Sequence, residues 1–71
     1  MSQWTEILSS EQLEARYASV AKLDAKFAVQ SKAFWEIQSV NTLRGLMMGS
    51  WTANDAEGYQ MARSYLALQG A

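Results

Sequence analysis

The placement of helix-breaking residues constrains this chain more than any other feature of its sequence. The sequence contains no proline, and its four glycines are Gly45, Gly49, Gly58 and Gly70. Nothing before Gly45 therefore disfavours helical backbone through a missing amide or a missing side chain. Charged residues are only 18% of the chain and hydrophobic residues are 49%. We predict an all-α fold.

Helix-capping side chains indicate where the helices begin. Ser9 stands three residues before Gln12, which is the spacing of a capping box, so a helix should begin near Ser10. Gly49 suits the left-handed residue that ends a helix, and Thr52 or Asn54 can cap the next one. We predict one domain over residues 1–71. Its parts are an N-terminal segment over 1–9, a first helix over 10–48 with a candidate break near 39–42, a turn over 49–53 and a second helix over 54–69.

A seven-residue spacing of apolar residues runs along the first predicted helix. It passes through Leu13, Val20, Phe27 and Phe34, and continues through the polar Asn41 to Met48. The companion positions three residues later are Arg16, Leu23, Gln30, Ile37 and Arg44, so the apolar match is partial. Coiled helix pairs and antiparallel helix hairpins use this repeat to form a seam of contacts.

The length of the first predicted helix conflicts with a compact monomer. A continuous helix over 10–48 would be ~58 Å long, whereas a globule of this chain length has a radius of gyration of ~11 Å. Either the helix breaks near 39–42 and forms a compact three-helix unit, or it stays long and its uncovered seam contacts another chain. The chain has no Cys and no His, so neither a disulfide nor structural zinc can compensate for a small core. We predict a helical hairpin or a small three-helix unit with a long first helix, completed by oligomerisation.

The available side chains argue against catalysis. Without His or Cys the chain lacks an imidazole base and a thiolate nucleophile. Two acidic pairs, Glu11 with Glu14 and Asp55 with Glu57, stand at predicted helix starts, where capping and the helix dipole account for them. We predict no enzymatic activity, no metal site and no cofactor, and the sequence does not identify a small-molecule ligand.

The charge balance also limits the partners. Six basic and seven acidic residues provide no clustered positive charge for nucleic acid. No uncharged segment approaches the ~20 apolar residues of a membrane span, and the first residues lack the positive start and apolar core of a signal peptide. We expect a cytoplasmic protein.

Aromatic and methionine side chains are too numerous for two small helices to bury by themselves. The chain has three Trp, three Tyr, two Phe and four Met, and such residues are enriched at the centres of protein interfaces. Trp35 lies off the seam, so it either contacts a partner or packs against Tyr65 or Leu66 of the second helix. The candidate partner interface consists of Phe27, Gln30, Phe34, Trp35, Ile37, Asn41 and Met48.

These observations favour a protein that acts by protein–protein association. It would be a self-associating small helical subunit, an adaptor or an inhibitor of a larger complex. The size, the absence of Cys and the hairpin pattern are loosely similar to secretion-needle subunits and to small two-helix plasmid regulators, although this likeness assigns a role to no residue. A filament or needle subunit is therefore one alternative, and a nucleic-acid-associated regulator is a second one that the charge disfavours.

Overall fold

The computed structural model describes residues 6–70, and this part of the chain folds into four helices without a strand. The helices are α1 (Ser10–Leu23), α2 (Ala25–Glu36), α3 (Val40–Thr52) and α4 (Ala56–Leu68). The all-α prediction is confirmed for these residues. None of the four helices is long and apolar enough to cross a membrane.

The start of α1 follows the sequence signal. The Ser9 hydroxyl accepts a hydrogen bond from the Gln12 amide at 3.1 Å, and the Gln12 side chain accepts one from the Ser9 amide at 2.8 Å. This reciprocal pair is the predicted capping box, and the helix begins at Ser10 as predicted. Residues 6–9 of the predicted N-terminal segment are not helical, and residues 1–5 lie outside the described part of the chain.

The prediction of one long first helix over 10–48 is wrong, because the chain breaks twice within this range. Asp24 has extended backbone angles, and its carboxylate accepts a hydrogen bond from the Phe27 amide at 3.0 Å, which ends α1 and caps α2. Ser39 does the same for α3 by accepting from the Thr42 amide at 3.2 Å. Short polar side chains favour this arrangement because they bond to backbone amides that a continuous helix would use otherwise. The second break covers residues 37–39, just before the predicted position, and the first was not predicted.

The turn before the last helix also differs from the prediction over 49–53. Helix α3 continues through Gly49 to Thr52, and the left-handed residue is Asn54, with a φ of 59°. Asparagine tolerates this conformation because its short amide bonds locally. Asp55 then caps α4 by accepting from the Gly58 amide at 3.0 Å, so α4 begins two residues later than predicted. Gly70 follows the C-cap Gln69 of α4 and has a positive φ of 76°.

Helix α4 lies at the centre of the packing. It packs along α3 and also contacts α2, while α1 packs along α2. A cluster of buried side chains from the N-terminal segment, α1, α3 and α4 forms the core: Leu8, Leu13, Tyr17, Leu43, Met61, Tyr65 and Leu66. The resulting radius of gyration is 11.8 Å, which is close to the value for a globule of this length and excludes a ~58 Å helix.

Hydrogen bonds fasten distant parts of the chain onto α4. The Leu8 amide donates to the Ser64 hydroxyl at 2.9 Å, and that hydroxyl donates to the Gln60 carbonyl at 2.8 Å. Ser64 is fully buried, so these bonds satisfy a polar group that water cannot reach. A β-carbon at Gly58 would lie 2.6 Å from both the Ser50 hydroxyl oxygen and an Asp55 carboxylate oxygen, so any larger residue would displace these side chains. Helices α3 and α4 therefore approach closely at this end.

Candidate interaction surface

One side of α2 carries large apolar side chains that are largely exposed, and one of them, Phe27, also borders the cavity between α1, α2 and α4. Phe27, Gln30, Phe34 and Ile37 follow one another at intervals of three and four residues, which places them on the same side of a helix. We refer to these four residues as the α2 stripe. Phe27 is 57% exposed, Phe34 is 46% exposed and Ile37 is 79% exposed, and Gln30 is exposed between them.

The α2 stripe is connected to the core by stacked rings. Phe34 meets Trp35 edge to face, with ring centroids 5.2 Å apart. Trp35 in turn stacks on Tyr65 of α4, with centroids 6.1 Å apart and planes 12° from parallel. Aromatic pairs in these geometries stabilise each other beyond their buried area. The exposed Phe34 ring is therefore supported by the buried part of the fold.

The candidate interface residues separate into three groups. Phe27, Gln30, Phe34 and Ile37 lie together on the α2 stripe. Trp35 is half-buried and packs on Tyr65, as one of its two sequence interpretations predicted. Asn41 and Met48 are exposed on α3. The break at residues 37–39 separates these two residues from the α2 stripe, so the seam predicted from Phe27 to Met48 is not one continuous surface.

Leu23 was not among the candidate interface residues, yet it is 92% exposed. It is the last residue of α1 and stands directly before the Asp24 cap, so it occupies the corner where α2 begins. The heptad spacing suggested a seam position for Leu23, but the exposure follows from the break at Asp24, which the spacing did not reveal. Val29, Trp51 and Leu68 are other exposed large apolar residues outside the candidate set.

Two tyrosine hydroxyls meet on the inner side of the fold. The Tyr17 and Tyr65 oxygens are 2.9 Å apart, and this hydrogen bond joins α1 to α4. Burial raises the pKa of the Tyr17 hydroxyl above 10.0, mainly because the phenolate would lose its hydration. Burial also raises the pKa of Tyr65, and the hydrogen bond with Tyr17 raises it further. Both side chains therefore remain neutral well above physiological pH and serve as a structural connection.

A cavity of about 250 Å³ lies between α1, α2 and the start of α4. Apolar and aromatic side chains line it together with Arg16, Asp55 and Glu57. Arg16 donates to the Met61 sulfur at 3.6 Å, and Asp55 is already engaged as the cap of α4. The cavity is slightly smaller than the ~300 Å³ at which typical ligand sites begin. Arg16 and Asp55 are engaged within the fold and Glu57 is exposed to solvent, so the α2 stripe is the stronger candidate site.

Residues 6–70 contain no group of three or more acidic, His or Cys side chains placed to hold a metal ion. Comparisons of the chain with protein-family models, with curated proteins and with solved structures found no match. The exposure and the apolar character of the α2 stripe are therefore the basis for a functional proposal.

Proposed function

We propose that this protein acts by protein–protein association and that the α2 stripe is its contact surface. The observation that carries this proposal is the exposure of Phe27 and Phe34 on α2 and of Ile37 at its C-cap, along one side of the helix. Isolated exposed apolar residues are ordinary, but a contiguous group is typical of an interaction site.

The size of the exposed apolar area supports the proposal. With about 200 Å² as the full area of one large apolar residue, the three apolar residues of the α2 stripe leave roughly 360 Å² exposed. The largest apolar patch of a typical monomer covers ~300–600 Å² and is often functional. The patch of this small protein lies within that range, although the whole chain has only 71 residues.

The chemistry of the α2 stripe also suits a protein partner. Its apolar residues are interrupted only by Gln30, which is uncharged, and the stripe is flanked on one side by the small Ala33. Phe34 is held by its contact with Trp35, so less side-chain freedom is lost when a partner binds. Buried aromatic anchors of this kind contribute most of the affinity in many interfaces.

The two alternative functions receive less support. The filament or needle alternative depended on a hairpin of long helices, and the described residues form four short ones instead. The nucleic-acid alternative needs clustered positive charge, whereas the chain has a net charge of −1. A small subunit, an adaptor and an inhibitor remain three forms of the same proposed activity, because each would use the α2 stripe to bind a protein.

Site-specific photo-crosslinking tests this function. A photoreactive benzophenone amino acid replaces Phe34 in the full chain, and a matched control carries it at Ser19, an exposed position on α1. In the cells that produce the protein, we expect irradiation to give covalent protein adducts from position 34 and few from position 19. Equal yields from both positions, or no adducts from position 34, would contradict the proposed function.

A further inference from the structure

We infer that the partner of the α2 stripe is a second copy of this chain, packed antiparallel across a two-fold axis. This inference rests on the proposed function and adds the identity and the orientation of the partner. Three properties of α2 support it: the register of its side chains, its charge and its exposed area.

The register of the α2 stripe is complementary to itself when one copy is reversed. In an antiparallel pair centred on residue 32, Phe27 lies opposite Ile37 of the partner subunit, and Gln30 lies opposite Phe34 of the partner subunit. Each of these two facing pairs forms one layer of the interface and contains at least one ring. The two-fold axis generates a second copy of each layer. Isologous contacts require such self-complementarity, and two-fold dimers are the commonest closed assemblies. Shifting the register by one heptad would move part of each stripe beyond the end of the other helix.

The charges on α2 permit this approach. Asp24, Lys26, Lys32 and Glu36 are the charged residues of α2 and its cap, and their charges cancel. Lys32 lies on the opposite side of the helix from the α2 stripe, so the two copies of this residue stay apart at the centre of the pair. Antiparallel packing also places the positive end of each helix dipole beside the negative end of the other.

The area is sufficient for a reversible dimer. The α2 stripe exposes roughly 360 Å² of large apolar side chains on one copy, and Gln30, Ala33 and the Lys26 stem add to this area. Two copies together would bury on the order of 1,000–1,200 Å², which is the lower end of the range for a specific protein interface. We expect a dissociation constant in the micromolar range, because interfaces at this end of the range with a polar layer are typically weak.

The absence of cysteine allows a direct test of the geometry, because any introduced thiol is the only one in the chain. In the proposed pair, the two copies of Ala33 lie near the two-fold axis and ~3 Å apart along the helix direction, whereas the two copies of Lys26 lie ~18 Å apart. A33C should therefore be linked rapidly by a short bismaleimide. K26C lies on the side of the helix that faces the partner but far along the helix from the two-fold axis, so it should not be linked. K32C lies close to the axis along the helix but on the opposite side of it, so it should not be linked either. Equal linking of A33C and K26C would overturn the antiparallel arrangement, because in a parallel pair the two copies of every residue lie at the same height along the helices.

Sedimentation equilibrium on the full chain tests the dimer itself. Between about 1 and about 500 µM the mass should rise from one copy to two, since the dissociation constant lies within this range. Phe34→Glu should remain monomeric throughout. If that variant loses its helical circular dichroism, Ile37→Glu replaces it, because Ile37 is 79% exposed. Gln30→Leu should lower the dissociation constant at least tenfold, because it replaces a buried amide with an apolar side chain in both symmetry-related copies of its layer.

The outcomes separate the dimer from the proposed function. A chain that stays monomeric at about 500 µM, or a Phe34→Glu variant that is folded and still dimeric, would overturn the dimer. If photo-adducts from position 34 contain only other proteins, the proposed function stands and the second copy is the wrong partner. If there are no adducts from position 34 and no dimer, both proposals fail.

Discussion

Helices α2 and α4 have nearly the same length but opposite surroundings. α4 has 13 residues, six of which are buried, whereas α2 has 12 residues and only Ala28 is buried. Both helices carry several large apolar side chains. The difference arises from position in the fold. α4 packs against α3, α2 and the N-terminal segment, whereas α2 packs only against α1 and α4. Apolar content alone therefore did not determine which helix would be buried.

The largest expected effect on stability comes from a substitution in the buried helix α4. Leu66→Ala on α4 should lower the free energy of unfolding by about 3 kcal/mol, because it removes a buried side chain and leaves a cavity. The matched change Ile37→Ala on α2 should alter it by less than about 0.5 kcal/mol in dilute solution. Guanidinium unfolding at low micromolar concentration measures both. Comparable losses from the two variants would show that the α2 stripe is already covered in the monomer.

The bond between the two tyrosines predicts the next effect. Tyr65→Phe removes one hydroxyl of the pair, and the free energy of unfolding should fall by about 1 kcal/mol because the hydrogen bond between two buried hydroxyls is lost, while Tyr17 keeps its interaction with Ser31. Tyr17→Phe removes the other hydroxyl of the pair, and the double variant completes a double-mutant cycle. If the losses of the two single variants simply add in the double variant, the hydroxyl contact contributes nothing to the attachment of α1.

Alkaline pH should weaken the same connection without any mutation. The pKa of both buried tyrosines is higher in the folded chain than the ordinary value of 10.0, so the folded state keeps these protons when the unfolded state loses them. Stability is therefore fully present below pH 10 and should fall by about 1 kcal/mol between pH 10 and pH 11. Thermal melts at closely spaced pH values measure this slope. The slope should become shallower in Tyr65→Phe, and an unchanged slope would assign the effect to other groups.

The smallest predicted effect concerns the corner that separates α1 from α2. Asp24→Ala should cost about 0.5–1 kcal/mol because the Phe27 amide loses its capping carboxylate. Asp24→Asn is the matched control, since asparagine caps as well as aspartate, and it should retain most of the stability. Melting temperatures compared under the same conditions check this prediction. Equal losses from both variants would mean that the charge of Asp24, and not its cap, matters.

Local signals in the sequence were reliable where one side chain decided the outcome. The capping box at Ser9 was predicted and is confirmed, and the structure selects one of the two interpretations left open for Trp35, packing on Tyr65. The break at Asp24 was missed because the heptad spacing continues across it, and the spacing describes side-chain direction but not backbone continuity. Gly49 was misassigned because a glycine within a helix and a glycine that ends one look alike without their neighbours in space. The sequence indicated the apolar side chains of the α2 stripe. Their exposure became apparent only from the fold, because it depends on how α1 and α4 pack against α2.

The hydrogen bond between Tyr17 and Tyr65 spans 48 residues of sequence, and this separation bears on how the chain folds. The α1–α2 and α3–α4 pairs join neighbours in the chain, so each pair closes only a short loop and can form early. Bringing α1 onto α4 closes a much longer loop. We expect the two helix pairs to form first and the tyrosine hydroxyls to meet late. Loss of the Tyr65 hydroxyl should then accelerate unfolding and leave the refolding rate almost unchanged.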